Sequence, residues 1–139
     1  MKITTAAPFV LTCALVSSCD AAADPARVNP PPAIPSQLKG TWDYLDGDCS
    51  PASKTRYEIS AHSIQYLHSL GTVTEVSEAG DDYAVVSLLV ERDDMDWERR
   101  LYLSVTDSEE FGQVLTECDY ETGVPSLCPM KPPNRRRCP

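Results

Sequence analysis

The chain has 139 residues, with 12 basic and 21 acidic side chains and a formal net charge of −9. That length allows one ordinary domain, and the acidic balance argues against a nucleic-acid partner because phosphates would be repelled. No apolar run approaches the roughly 20 residues that a membrane-spanning helix needs. Six Cys in so short a chain indicate either an oxidising compartment or a metal site.

The first 18 residues predict an export signal, because a short positive start is followed by mostly apolar or small residues. The motif V-S-S-C that ends at Cys19 resembles the bacterial lipobox. The resemblance implies a signal peptide over 1–18 and a lipid on Cys19. It also implies a periplasm-facing protein anchored in the inner or outer membrane, since two or more acyl chains hold a protein stably. Plain cleavage after Ala23, with no lipid, is the alternative.

Residues 19–36 predict a tether between this anchor and the domain. Five Pro lie between Ala21 and Ser36 among small and polar residues, and such a segment forms neither a helix nor a sheet ladder. Polyproline II, which rises about 3.1 Å per residue, is its natural conformation. The folded domain is therefore expected over residues 37–139.

From Gln37 onward the apolar residues recur with period two, which predicts strands. The predicted strands are Leu38–Leu45, Lys54–Ile59, Ser63–His68, Thr72–Val76, Tyr83–Glu91, Asp96–Val105, Gly112–Glu117 and Asn134–Cys138. No segment has the pattern of an amphipathic helix. The class is therefore all-β, a small antiparallel barrel or sandwich of seven to eight strands.

Two of these strands carry further information. The strand over Tyr83–Glu91 is apolar on both faces, which predicts a central strand covered on both sides or a surface for another molecule. In the strand over Asp96–Val105, alternation places Trp97 and Arg99 on the same side as the apolar core residues. We expect Arg99 at a rim or in an ion pair.

The first strand begins with G-T-W, from Gly40 to Trp42, and this resembles the G-x-W start of lipocalins and other calycins. The resemblance implies a calycin-like barrel in which Trp42 closes one end and a late Arg packs across it. Arg135, Arg136 and Arg137 all lie on the last predicted strand. We assign Arg137 to barrel closure with Gly40 and Trp42, where a cation over the ring adds about 0.5–2 kcal/mol. The chain is also similar to small bacterial envelope lipoproteins with this start and an Arg-Cys end.

Four Cys remain after the export segment, and they allow three disulfide pairings. We favour Cys49–Cys138, which joins the first and last strands of a closed sheet, and Cys118–Cys128, which closes a short loop rich in Pro and Gly. A metal site is a poor alternative, because no C-x-x-C pair is present.

The sequence offers no pattern typical of catalysis or of metal binding. His62 and His68 would be about 20 Å apart on one strand, too far to share a metal. The acidic run from Asp94 to Glu98 lacks the Gly and the distant Glu of a calcium loop. Nucleophile and phosphate-loop motifs are absent. We therefore expect no enzyme, no metal and no cofactor.

Charge indicates the kind of partner. Between Gln37 and Met130 there are 19 acidic and 6 basic residues, a net of −13, and a basic tail follows. The acidic face either pairs with this tail or attracts a cationic protein. The expected function is a lipid-anchored binding or structural protein of the bacterial envelope, with a small apolar ligand or an envelope component as its ligand. The alternative is an inhibitor of a secreted lysozyme or protease, implied by a resemblance to small calycin-like protease inhibitors of the periplasm and outer membrane.

Overall fold

A computed structural model describes residues 30–120 and 134–139, and there eight antiparallel strands form one closed barrel. Each strand pairs with its neighbours along the chain, and the first pairs with the last to close the sheet. The strands are β1 Gly40–Tyr44, β2 Tyr57–Ile59, β3 Ser63–Gln65, β4 Leu70–Ala79, β5 Tyr83–Arg92, β6 Met95–Ser108, β7 Gly112–Asp119 and β8 Asn134–Arg137. The predicted all-β class is confirmed, and of the two predicted arrangements the barrel is the one formed.

Several predictions fall outside the described residues. They are the signal peptide over 1–18, the lipid on Cys19, the alternative cleavage after Ala23, most of the tether and the cysteine at position 128. Within the described ranges, no helix has the length and apolar character needed to cross a bilayer. Packed structure begins slightly earlier than the predicted start at Gln37, because Ile34 is buried and its amide donates a hydrogen bond to the Ala61 carbonyl.

Strand boundaries differ from the prediction most clearly in β4, which spans Leu70–Ala79 rather than Thr72–Val76. Its pairing with β5 shifts register at two places, between Val73 and Glu75 and between Val76 and Glu78. A bulge inserts an extra residue and breaks the alternation of side chains. The alternating sequence pattern therefore predicts a shorter strand than the one that forms.

Side chains fill the interior of the barrel, as is usual for a small one. The core consists of Ile34, Leu38, Trp42, Tyr57, Ile59, Ile64, Val73, Ala84, Val86, Leu88, Val90, Leu101, Leu103, Val105 and Leu115. Strand β5 lies between β4 and β6. Its inward residues belong to this core, and its outward-facing Val85 is buried as well, which explains why the sequence is apolar on both faces.

The two ends of the barrel differ. A short 3-10 helix over Ser36–Leu38 precedes β1, and its Leu38 is fully buried. We call this the closed end. Because successive strands are antiparallel, the β3–β4 and β5–β6 turns lie at the opposite end, which we call the mouth.

Candidate binding site at the barrel mouth

The closed end contains the three residues that the sequence assigned to barrel closure. Trp42 and Arg137 are paired across the β1–β8 seam, and the Arg137 guanidinium carbon lies 4.5 Å from the centroid of the Trp42 ring. Arg137 also donates hydrogen bonds to the carbonyls of Lys39 and Gln37. Gly40 has a φ of +133°, and a Cβ there would lie 2.9 Å from Arg137 Nη1, so this position favours glycine.

The seam between β1 and β8 is covered on its outer side by the loop over residues 45–56. The predicted Cys49–Cys138 disulfide is confirmed, and it ties this loop to the end of β8 with 5.6 Å between the Cα atoms. Cys118 is also disulfide-bonded, although its predicted partner, Cys128, lies outside the described residues. Arg136 faces outward and donates a hydrogen bond to the Gly47 carbonyl within the loop.

Asp43 organises the same loop from the outer face of β1. Its buried carboxylate accepts hydrogen bonds from the amides of Tyr44 and Cys49 and from the Thr55 hydroxyl. A Cβ at Gly47 would lie 2.4 Å from the carboxylate carbon, so no side chain fits there. Burial raises the pKa of Asp43, but the hydrogen bonds outweigh burial and hold the pKa below its ordinary value of 3.8.

Asp43→Asn is expected to destabilise the protein by about 1–3 kcal/mol at neutral pH, because buried donors lose an anionic acceptor. A carboxyl group with a lowered folded-state pKa stabilises the fold above its unfolded pKa of 3.8, and the effect disappears as the pH falls through the folded value. The stability gap between wild type and Asp43→Asn should therefore narrow as the pH falls from about 5 to about 2. Urea unfolding across this range measures it.

A second variant separates this effect from general acid unfolding. Thr55→Val removes one hydrogen bond to Asp43 and should reduce the acid dependence in the same direction, by a smaller amount. A gap between wild type and Asp43→Asn that is equally wide at about pH 2 and pH 6 would contradict the assignment.

The mouth holds a cluster of charged residues on inward-facing strand positions. Glu117, only 7% exposed, lies between two arginines, with its Oε1 3.1 Å from Arg99 Nη1 and its Oε2 3.7 Å from Arg135 Nε. Arg99 also pairs with Asp119, at 2.8 Å from Nε to Oδ1. The guanidinium groups and carboxylates fix one another, so the cluster is rigid as well as polar. Arg99 is therefore in an ion pair near a rim, as the sequence indicated.

Tyrosine rings hold Arg135 in place beneath the mouth. Its guanidinium carbon lies 4.3 Å from the centroid of the Tyr44 ring and 4.2 Å from that of Tyr57. The guanidinium also donates a hydrogen bond to the Thr55 carbonyl. Arg135 is thus largely buried and positioned by contacts with two rings, which fixes its charge next to Glu117.

Two tyrosine hydroxyls are buried within this cluster. The Tyr57 hydroxyl faces Glu117, and the Tyr66 hydroxyl faces Arg99. The two rings pack edge to face with their centroids 5.4 Å apart. Burial, and then the nearby charge of Glu117, raise the pKa of both tyrosines. Both phenols are therefore protonated at neutral pH, and each is able to donate a hydrogen bond.

A recess opens beside this cluster. It has a volume of about 290 Å³ and is lined by Tyr66, Ser69, Val90, Trp97 and Arg99. Trp97 lies on the inward face of β6, as the sequence predicted. Because it is beyond the filled core, it is 42% exposed. The recess therefore combines an accessible aromatic ring with the polar cluster beneath it.

Carboxylates surround the tip of the β5–β6 hairpin at the edge of the mouth. They are Glu91, Asp93, Asp94, Asp96 and Glu98. Met95, in the middle of this run, is 63% exposed. Among the described residues, no group of three or more His, Cys, Asp or Glu side chains is arranged to hold a metal.

Sequence reasoning assigned the closed end but did not identify the mouth cluster. The sequence pattern predicts only the end of a strand at Glu117, and it offers Arg135 as one of three candidates for the position over Trp42. One signal was present, because Glu117 is in phase with Leu115 and Arg99 is in phase with Leu101. A charged residue in phase with core residues indicates a buried ion pair or a site at the end of a barrel. No family model, curated protein or solved structure matches the chain.

Proposed function

We propose that this chain is an exported, lipid-anchored binding protein of the bacterial envelope that performs no chemistry of its own, with its ligand at the barrel mouth. The observation that carries the proposal is the recess of about 290 Å³ that exposes the Trp97 ring beside the Arg99 side chain, which is held by Glu117 and Asp119. An accessible aromatic ring next to a fixed polar pair offers a ligand both an apolar contact and hydrogen bonds.

The packing of the interior supports the mouth as the binding place. Trp42, Leu101 and Leu103 are fully buried and belong to one core cluster. A well-packed core has no room for a ligand unless side chains move. A small apolar ligand deep in the barrel, one of the two ligands expected from the sequence, is therefore a weaker proposal than a ligand in the recess.

The direction in which the chain enters the barrel is consistent with a lipid anchor. The segment before β1 arrives at the closed end, where Ile34 and Leu38 are buried. A tether from Cys19 would therefore join the barrel at its closed end and leave the mouth at the end opposite the attachment.

Cys19→Ala is expected to move the protein from the membrane fraction to the soluble fraction of a bacterial host, because the residue that carries the acyl chains is lost. Cys13→Ala is the matched control, since that cysteine lies inside the proposed signal, and it should leave the protein in the membrane fraction. Fractionation shows where each variant is found, and intact-mass measurement shows whether it carries acyl chains. A soluble wild-type protein that begins after Ala23 would contradict lipidation while leaving the mouth proposal standing.

Trp97→Ala tests the binding site itself. The purified protein is incubated with a small-molecule extract of bacterial envelope and analysed by native mass spectrometry. We expect a ligand adduct on the wild type that is lost in Trp97→Ala, because the exposed ring of the recess is removed. Phe111→Ala is the matched control: Phe111 is 36% exposed but lies on the β6–β7 turn at the closed end. Absence of any adduct, or equal adducts on all three proteins, would overturn the proposal.

Inhibition of a secreted hydrolase is the second candidate, and the acidic tip of the β5–β6 hairpin favours it. An exposed Met95 within a run of carboxylates is suited to contact a cationic enzyme, since methionine is common at interfaces and complementary charge speeds association. Assays of a lysozyme and of secreted proteases with the purified protein test this. No inhibition at low ionic strength in either class would remove the candidate.

A further inference from the structure

The charges under the recess are balanced, which restricts the charge of a ligand. Arg99 and Arg135 are each close to Glu117, and Arg99 is also paired with Asp119. Two positive and two negative groups therefore neutralise one another. The guanidinium groups would repel a cationic ligand. The acidic run around Asp94 and Asp96, at the edge of the mouth, would repel an anionic one. A neutral ligand avoids both penalties.

The lining of the recess restricts the shape of a ligand. Trp97 offers an exposed aromatic surface, and Val90 adds an apolar contact beside it. A flat aromatic surface of this kind packs well against a ring that has an apolar face. A long alkyl chain would need depth, and the filled core below Val90 provides none.

The polar groups beside the recess restrict the functional groups of a ligand. Arg99 lines the recess and can only donate a hydrogen bond, whereas Asp119, which pairs with Arg99 and is 67% exposed, can only accept one. An alcohol group donates and accepts at the same time, so a ligand with several hydroxyls can satisfy both side chains in one pose. An ether or a ketone cannot, because it has no proton to donate to the carboxylate.

We infer that the ligand at the mouth is a neutral carbohydrate, whose ring stacks on Trp97 and whose hydroxyls bond to the Arg99–Asp119 pair. This inference rests on the proposed function, since it assumes that the mouth binds a ligand. A pyranose ring combines the required properties: no charge, one face made of C–H groups and several hydroxyls around its edge. The recess volume of about 290 Å³ suits one or two such rings.

Tryptophan fluorescence provides a direct readout. The chain has two Trp: Trp42 is fully buried at the closed end, and Trp97 is accessible at the mouth. Titrants are the neutral disaccharides N,N′-diacetylchitobiose, cellobiose and maltose, the anionic disaccharide cellobiouronic acid, the cationic disaccharide chitobiose without its acetyl groups, and the apolar dodecanol. We expect a saturable change in Trp97 emission with at least one neutral disaccharide, and binding at least tenfold weaker for both charged sugars.

Variants locate the binding by calorimetry. Trp97→Ala should weaken binding of the neutral disaccharide at least tenfold, because the stacking surface is removed. Asp119→Asn removes the exposed anionic acceptor beside Arg99 and should weaken binding severalfold without lowering the melting temperature, because an exposed ion pair adds little stability. This distinguishes a ligand contact from a packing role. Phe111→Ala should bind like the wild type.

The outcomes separate this inference from the proposed function. Dodecanol binding that depends on Trp97, with no neutral disaccharide bound, would overturn the carbohydrate inference and leave the mouth as a binding site. Equal binding of charged and neutral sugars would also overturn it. If neither a titrant nor the envelope extract binds, both proposals fail.

Discussion

Trp42→Ala is expected to lower the free energy of unfolding by about 3–5 kcal/mol, as for other fully buried aromatic residues. The Trp42 side chain is fully buried, its ring packs under Arg137, and its Nε1 donates a hydrogen bond of 2.9 Å to the Leu38 carbonyl. The substitution leaves a cavity at the closed end and leaves the Leu38 carbonyl without its hydrogen-bond donor. It also removes the ring over which the Arg137 guanidinium is held.

Urea unfolding followed by circular dichroism measures this loss, and Trp97→Ala is the matched control. Both variants remove an indole, but only Trp42 is in the core, so the loss for Trp97→Ala should stay below about 1 kcal/mol. Trp42→Phe should have an intermediate effect, because it keeps part of the aromatic packing but loses the rest of the indole volume and the hydrogen bond to Leu38. Similar losses for Trp42→Ala and Trp97→Ala would contradict the role of Trp42 in closing the barrel.

Replacing both Cys49 and Cys138 by Ala is expected to lower the free energy of unfolding by about 4–5 kcal/mol on the chain-entropy model. The disulfide joins residues that are 89 positions apart, so it removes much of the freedom of the unfolded chain. The double substitution also frees the loop over residues 45–56, which then depends on Asp43 and Arg136 for its attachment. Stability of a small domain is commonly about 5–15 kcal/mol, so the loss is a large part of the total.

The double variant is compared with the wild type without reductant, by urea unfolding at pH 7. A wild type treated with reductant should be no more stable than the double variant, because reduction also opens the disulfide of Cys118. A double variant that unfolds at the wild-type urea concentration would show that the seam is held by its hydrogen bonds alone. Single replacements are less informative, since they leave a reactive thiol.

Much of the fold could be predicted from the sequence because its strands are amphipathic and their turns are marked by Gly, Asp and Ser. The period-two pattern located all eight strands, and the G-T-W start with the late arginines indicated how the barrel closes. The ends of the strands were harder to predict. Residues 66–69 have strand-like character, yet they form the turn in which the Tyr66 amide bonds to the Ser69 carbonyl, because a closed sheet must reverse there.

The candidate site could not be predicted to the same extent, because it depends on register. Glu117, Arg99 and Arg135 come from three strands, and only the pairing of β6 with β7 and of β7 with β8 brings them together. The sequence shows a charged residue on the core side of a strand but not its partner. The exposure of Trp97 depends in turn on how far the core fills the barrel, which is a property of the assembled interior.

The order of the strands has a consequence for the rate of folding. Every strand pairing except β1–β8 joins strands that are neighbours along the chain, so hairpins can form one after another. The seam between β1 and β8 is different, because it joins residues nearly a hundred positions apart, such as Tyr44 and Arg135. The chain must lose the conformational entropy of a long loop before such distant contacts can form. Joining the seam should therefore be the slow step of folding. A chain already oxidised at Cys49 and Cys138 has its ends held together and should close the barrel faster than the reduced chain.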